Sequence, residues 1–440
     1  MRAGLVFLSA GAGAAPSRRE PTTVPGFVLT TASAFGTLAA ARCLGDHGVP
    51  VVVLDASRFA PAMWSRHVAR SEAFPPGRPI DRFVDALVAY GTAHPGNVLY
   101  ATSDDLAWTF AERADALRPH YRLYTPPFSC IAGILDKRAL YDKAGEIGVS
   151  TPRTWFPSSD RDLEEVNKSA RFPLIVKPRT QVSFTSTRKG ICVSSAGELR
   201  TGYSDFARDD VHEPSFSAKH RDTAGVLVQE LHAERPIYSV SGFCDPARNL
   251  FVARSSHKLL QWPRQAGVGI AFEDAPLDDG VVRGVRRLCE AIGYFGVFEV
   301  EFAVAPDGPM LIDFNPRFFG QMGFDVARGL PSAYLVYLAA TGAFAELAQV
   351  VDLARDWRPT APMLFEHGSM IAWSRAAERL AGRRPPALPG RSKGTARPIV
   401  VDAARSGGDR IPGVVDYLQR TFNALSHPAA SFRAASRGYW

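Results

Sequence analysis

Acidic and amide side chains that recur at fixed spacing near the ends of two neighbouring apolar runs are where this chain could do chemistry. The first run is Phe295-Gly296-Val297-Phe298-Glu299-Val300-Glu301-Phe302-Ala303-Val304; after Pro306-Asp307-Gly308 comes Met310-Leu311-Ile312-Asp313-Phe314-Asn315-Pro316-Arg317. Two apolar runs around a turn signal predict a β-hairpin. Side chains alternate along a strand, so Glu299 and Glu301 share one face, and Asp313 and Asn315 share a face of the partner strand. A three-residue loop at 306–308, closed by a left-handed Gly308, would pair position 305 with 309 and set Glu301 opposite Asp313 and Glu299 opposite Asn315. Facing residues lie about 5 Å apart at Cβ, so two carboxylates and an amide oxygen there repel one another unless a cation intervenes. Mg²⁺ suits the set, because it takes hard oxygen ligands and is held by a few protein groups together with substrate phosphates. The plain alternative is a solvated acidic face with Arg317 in a surface ion pair. Asn before Pro-Arg at a strand end argues against it, because that order exposes the amide and puts a guanidinium where a phosphate would sit.

Glu301-Phe302, followed about a dozen residues later by Asp313-Phe314-Asn315-Pro316-Arg317, resembles the Mg-ATP signature of the ATP-grasp superfamily of carboxylate-amine ligases, in its D-aspartate-ligase-like and carbamoyl-phosphate-synthase-like branch. By that resemblance Glu301, Asp313 and Asn315 hold Mg²⁺ (or Mn²⁺) ions that bridge the ATP phosphates, and Arg317 contacts phosphate. Glu299 is outside the pattern and keeps a supporting role.

Other stretches fit the same resemblance. Asp136-Lys137-Arg138 opens a helix running to Gly148, ahead of an extended link through Pro152, and Lys137 would reach the ATP phosphates; otherwise it is a solvated lysine on a first helical turn. Lys177 closes the apolar strand Phe172 to Pro178, where a buried ammonium must find a partner, and phosphate is the partner implied. The following stretch, Arg179 to Lys189, stands where the family has a glycine-rich lid loop. Here it is rich in Ser and Thr, with Ser186, Arg188 and Lys189 read as phosphate contacts. Glu230 and Leu231, after the apolar strand from Ala224, would form the hinge whose backbone meets adenine. Ile237 occupies the usual place of a ribose glutamate, so Glu234 or a residue elsewhere must serve, or the ribose contact is missing. Lys258, in preference to His257, would stabilise charge on the transferring phosphoryl group.

These residues need a scaffold, and its beginning is legible. Phe27 to Thr31, a turn at Ala34-Phe35-Gly36, a helix from Thr37 to His47 and Val51 to Asp55 predict a βαβ unit that starts a parallel sheet. One turn glycine in place of G-x-G-x-x-G makes a dinucleotide site a weak reading, and Asp55 is expected to cap the turn that follows it. Val98 to Thr102 predicts a strand, with Ser103 or Asp104 capping a helix through Ala116. The arrangement resembles the amino-terminal domain that precedes the grasp in this superfamily, which by that resemblance helps hold the acceptor or carboxylate substrate, with His67, Asp104 and Asp105 as candidates. The expected fold class is α/β, an ATP-grasp fold: a leader at 1–25, an amino-terminal parallel-sheet domain at 26–125, and an ATP-grasp domain at 126–345 with its lid at about 150–230 and a carboxy-terminal lobe. An extension at 346–440 contains a strand from Pro398 to Val401 and a helix from Val414 to Asn423.

Composition limits the remaining classes. At 440 residues and 46% hydrophobic content the chain can bury more than one core. Its excess of 51 basic over 44 acidic residues, +7, suits anionic nucleotides and substrates, and no nucleic-acid reader motif accompanies it. Five cysteines without a CxxC pair imply neither a disulfide framework nor a zinc site, which points to the cytoplasm. No run is long enough for a membrane span; a short apolar stretch at Leu5 to Leu8 is read as part of an unstructured leader. The implied function is ATP-dependent ligation of a small carboxylate and an amine, amino acids among them, through an acylphosphate, with release of ADP and phosphate; a homodimer stays open. The alternatives are a kinase or carboxylase on the same fold, or a nucleotide-binding module without turnover.

Overall fold

A computed structural model describes residues 24–183, 185, 189–208, 212–231, 236–262, 267–380, 382–385 and 398–426. Three sheets organise them. The first is parallel and made of β1 (Phe27–Thr30), β2 (Val51–Asp55), β3 (Arg70–Ala73), β4 (Asn97–Leu99) and β5 (Tyr121–Leu123), in the order β3-β2-β1-β4-β5. β1 and β2 are near-continuous apolar runs, as strands covered on both faces must be. The helix between them spans Phe35–Asp46, two residues earlier than its periodicity predicts, and its small Ala39-Ala40-Ala41 stretch packs against the sheet. Asp55 caps the turns around it, accepting from Ala32 N at 2.6 Å and Ser57 N at 2.8 Å.

β4 is shorter than predicted, ending at Leu99. The next residues leave the sheet: Thr102 Oγ1 donates to Thr30 O at 3.0 Å, and Ser103 Oγ accepts from Leu106 N to cap the helix Asp104–Glu112. That helix breaks at Arg113 before a short turn of helix at Ala114–Leu117.

The second sheet is antiparallel and small: β6 (Thr154–Trp155), β7 (Leu174–Pro178), β8 (Ile191–Val193) and β9 (Val226–Glu230), in the order β6-β9-β7-β8. It has a core of its own, in which Leu174, Val176 and Val228 meet Leu163 and Val166 of one helix and Leu199 and Phe206 of another.

The third sheet has seven strands: β10 (Ile237–Asp245), β11 (Leu250–Trp262), β12 (Val268–Asp274), β13 (Gly296–Ala305), β14 (Gly308–Asn315), β15 (Met363–Glu366) and β16 (Ile399–Asp402), in the order β14-β13-β10-β11-β12-β15-β16. The segment beyond residue 345 is therefore woven into the sheet that carries the acidic hairpin: β15 pairs antiparallel with β12, and β16 pairs parallel with β15. It also returns to the first domain. Arg42 Nε donates to Asp409 Oδ2 at 2.8 Å, and the same carboxylate accepts from Ser65 Oγ at 2.7 Å and Arg66 N at 3.0 Å. One apolar cluster joins Phe27 and Leu29 of β1 to Phe318, Phe319 and Val336, so the parallel sheet and the seven-stranded sheet share a core that the small sheet does not enter.

No described helix is long and apolar enough to cross a membrane.

Candidate functional site

The hairpin reaches the expected pairing by another route. Its loop has two residues, Pro306 and Asp307, and Ala305 pairs with Gly308, whose φ of +114° glycine alone adopts easily. The register then shifts between Phe302 and Glu301: Phe302 faces Leu311, but Glu301 faces Asp313, so Ile312 is the extra residue of a bulge. Beyond the bulge Glu299 faces Asn315. The shorter turn and the added residue cancel, and the four polar side chains share one face.

That face borders a cavity of about 520 Å³ between the small sheet and the seven-stranded sheet. Four cations meet the acids there. Lys137, the first residue of the helix Lys137–Glu146, pairs with Asp313. Its position is fixed by Asp136, which caps the helix and is gripped from the small sheet by Arg179, Nε to Oδ1 at 2.6 Å and Nη2 to Oδ2 at 2.5 Å. Lys258 reaches from β11 across β10 to Glu301, at 2.5 Å. Lys177 donates to Gln229 Oε1 at 2.9 Å, and Gln229 is held in turn by Tyr141 and Thr154. Arg317 bonds Asp104 at 2.9 and 3.3 Å and donates to Asn315 Oδ1 at 2.7 Å.

The electrostatics follow from this placement. Burial opposes the charge of Asp313, and the Lys137 ammonium outweighs it, so the carboxyl is held at about 2. Burial lowers Lys177, and the nearby Lys137 charge lowers it further, to about 8. Lys258 is also buried, but Glu301 lifts its pKa above the ordinary lysine value. Glu299 is the opposite case: burial and the charge of Glu301 push it up to about 7. Its carboxylate accepts from Asn315 Nδ2 at 2.5 Å and Gln321 Nε2 at 2.9 Å, which turns the Asn315 oxygen away from it.

Among the described residues no three His, Cys, Asp or Glu side chains cluster as metal ligands. The donor set of Glu301, Asp313 and Asn315 is two carboxylates and an amide oxygen, which excludes a thiolate or imidazole site and fits a hard divalent ion completed by phosphate oxygens. Both carboxylates already require cations, as their lysine partners show.

The remaining expectations divide. Lys189, Glu230 and Leu231 border the cavity. The N–H groups of Glu230 and Leu231 are taken by Arg153 O and Pro173 O, both at 3.0 Å, so the hinge does not offer those two donors to a ring; its carbonyls remain. Ser186, Arg188 and Glu234 lie outside the described residues. His67 is remote from the cavity, against Gly45 and 3.4 Å from Asp46, whereas Asp104 borders it. Asp105 turns to the small sheet, accepting from Ser183 N at 2.5 Å. Sequence reasoning missed Gln229 and Gln321. Each is an uncharged residue beside a conspicuous one, and only the fold shows what it touches.

No family model matches the chain. The curated formate-dependent phosphoribosylglycinamide formyltransferase of Synechocystis sp. is 25% identical over 187 residues, 40% of this chain and 42% of that protein, so the likeness spans less than half of the relative. An L-amino acid ligase from Bacillus licheniformis superposes with a TM-score of 0.57 at 15% identity, covering 78% of this chain and 80% of that one. The biotin carboxylase domain of Hydrogenobacter thermophilus 2-oxoglutarate carboxylase, solved as a dimer with MgADP, ADP and bicarbonate, superposes with a TM-score of 0.56 at 14% identity, over 78% and 74%. A parallel amino-terminal sheet, a small antiparallel sheet and a large one whose hairpin faces the cavity between them make this the ATP-grasp fold.

Proposed function

We propose that this protein is an ATP-dependent carboxylate-amine ligase. A substrate carboxylate attacks the γ-phosphoryl group, giving an acylphosphate and ADP; an amine then attacks the acyl carbon, and phosphate leaves as the amide forms. The observation that carries this reading is the convergence of Lys137, Lys177, Lys258 and Arg317 on Glu301, Asp313 and Asn315 around one cavity. Phosphoryl transfer asks little covalent work of a protein and much positioning and charge compensation. A site of acids and cations meets that demand.

In this reading residues 26–125 are the amino-terminal domain, 126–345 the ATP-grasp domain, and the sheet within 150–230 its lid. Lys137 and Lys177 bind phosphate oxygens, and Glu230 and Leu231 border the adenine end. Glu301, Asp313 and Asn315 would hold Mg²⁺, which would neutralise charge on the phosphates. Lys258 and Arg317 stand nearest the transferred group and the acceptor. With its partner Asp104, Arg317 offers a cation and an anion side by side, a pair that suits an amino acid as a substrate.

The test is an ADP-release screen over amino acids and small carboxylates, with Asp313→Asn as control. Release that needs both a carboxylate and an amine supports the ligase. Release with a lone acceptor that emerges phosphorylated, or with bicarbonate, turns the assignment to a kinase or a carboxylase.

A further inference from the structure

The helix Asp104–Glu112 belongs to the amino-terminal domain, yet it touches both the reactive end of the cavity and the small sheet. Ser103 caps it, so its first two residues, Asp104 and Asp105, project adjacent carboxylates from one turn. Asp104 holds Arg317. Asp105 accepts the N–H of Ser183, six residues beyond Lys177 in the loop that follows β7. Ser183 has φ of +52°, a conformation that side chains other than glycine seldom adopt and that persists where surroundings impose it. Two bonds impose it here: its N–H to Asp105, and its carbonyl accepting from Glu213 N at 3.0 Å.

The contact continues along the helix. Trp108 packs edge-on against Phe216 and His220, ring centroids 5.4 and 5.0 Å apart, and both belong to the segment around the short helix Pro214–Lys219 that precedes β9. One turn further, Glu112 meets Lys219 at 2.6 Å and His220 at 3.2 Å. At the near end Arg78 bridges Asp105 and Glu213, at 3.4 and 3.2 Å. Thus one face of one helix fastens the small sheet across the cavity, and the residue at its head, Asp104, holds Arg317.

We propose that Asp105 is a positioning residue: its carboxylate latches the loop after Lys177 to the amino-terminal domain and thereby fixes the closed position of the small sheet over the cavity. The inference rests on the ligase reading only for what the cavity holds; the latch itself is a contact within the protein. Adjacency of Asp104 and Asp105 means that closing the loop and placing Arg317 draw on the same helical turn.

The experiment compares Asp105→Ala, Asp105→Asn and Phe216→Ala in the full chain, each first checked for an unchanged melting transition. Trypsin cleavage after the exposed Lys189 is followed without nucleotide, so its outcome does not depend on what the cavity binds. Loss of a charged acceptor releases the loop about tenfold in its opening equilibrium, so Asp105→Ala is cut faster by that factor. Asp105→Asn, which keeps an oxygen acceptor but not its charge, falls between wild type and Asp105→Ala, and Phe216→Ala, which loosens the same contact, follows Asp105→Ala. KM for ATP rises in Asp105→Ala while kcat falls less than KM rises. Cleavage of Asp105→Ala at the wild-type rate overturns the latch. Failure of the Mg²⁺ complex of a non-hydrolysable ATP analogue to slow cleavage of the wild type overturns the nucleotide reading instead, and leaves the latch standing on the first arm.

Discussion

Lys258 Nζ lies 2.5 Å from Glu301 Oε1 although β10 separates their strands. The residue of β10 that faces Glu301 is Ser239, small enough to let the lysine reach over it. Gly269 helps on the other side: a Cβ there would come within 3.1 Å of Lys258 Cε. A cation held this way is preorganised for charge that develops on a transferred group. Lys258→Met is expected to lower kcat by about a hundredfold or more, with nucleotide affinity changed far less, a separation that steady-state kinetics reads directly.

Asp313 accepts from Lys137 and from its neighbour Phe314 N at 2.9 Å, and the Lys137 ammonium holds its carboxyl at about 2 despite burial. Asp313→Asn keeps the shape and removes the charge. Turnover is expected to disappear while the circular dichroism spectrum stays unchanged; undiminished activity would remove Asp313 from the metal set.

Lys177 gives a pH dependence with a definite sign. Its folded value of about 8 lies below the ordinary 10.5, so between these values the unfolded chain binds a proton that the folded chain lacks. Stability from this residue therefore rises with pH across that window. In the proposed site nucleotide affinity is expected to run the other way, because the ammonium that would meet phosphate is lost as pH climbs through about 8. Titration calorimetry with an ATP analogue should show weakening from pH 7 to 9.5, and Lys177→Arg should flatten the curve, since a guanidinium keeps its proton.

Chelation tests how the acidic face is held without nucleotide. Because Lys137 and Lys258 already neutralise Asp313 and Glu301, removing divalent ions with EDTA should leave the melting temperature of the nucleotide-free protein unchanged. Mg²⁺ with an ATP analogue should raise it by mass action, through a gain in stability of about 2.7 kcal/mol at a hundredfold excess over Kd.

Arg42 and Asp409 tie the end of the described chain to its beginning. Arg42→Ala strands a buried carboxylate, and breaking such a pair from one side costs about 3 kcal/mol. The double variant with Asp409→Ala should recover part of that loss in a denaturant titration, since no unpaired charge is left behind.

The sequence announced the acidic hairpin for a partly mistaken reason. The facing of Glu301 with Asp313 was right, but the assumed three-residue loop is a two-residue loop plus a bulge at Ile312. Alternation along each strand is local and readable; bulges depend on what lies across the strand. The parallel start was legible because β1 and β2 are apolar up to their last residues, Thr30 and Asp55. Of the carboxy-terminal strands, β16 is legible, one residue from the predicted Pro398 to Val401; the place of β15 in the sheet is not, since nothing local in Met363–Glu366 says that it will join β12, some ninety residues earlier. His67 looked eligible by residue type alone, and only the fold places it away from the cavity.

The bulge also separates two design problems. Ile312 resets the phase of the strand between the tip and the acids, so the tip can be lengthened or tagged while the residues beyond the reset keep their orientation. A reporter inserted between Pro306 and Asp307 would sit at the far end of the hairpin and leave the acidic face untouched.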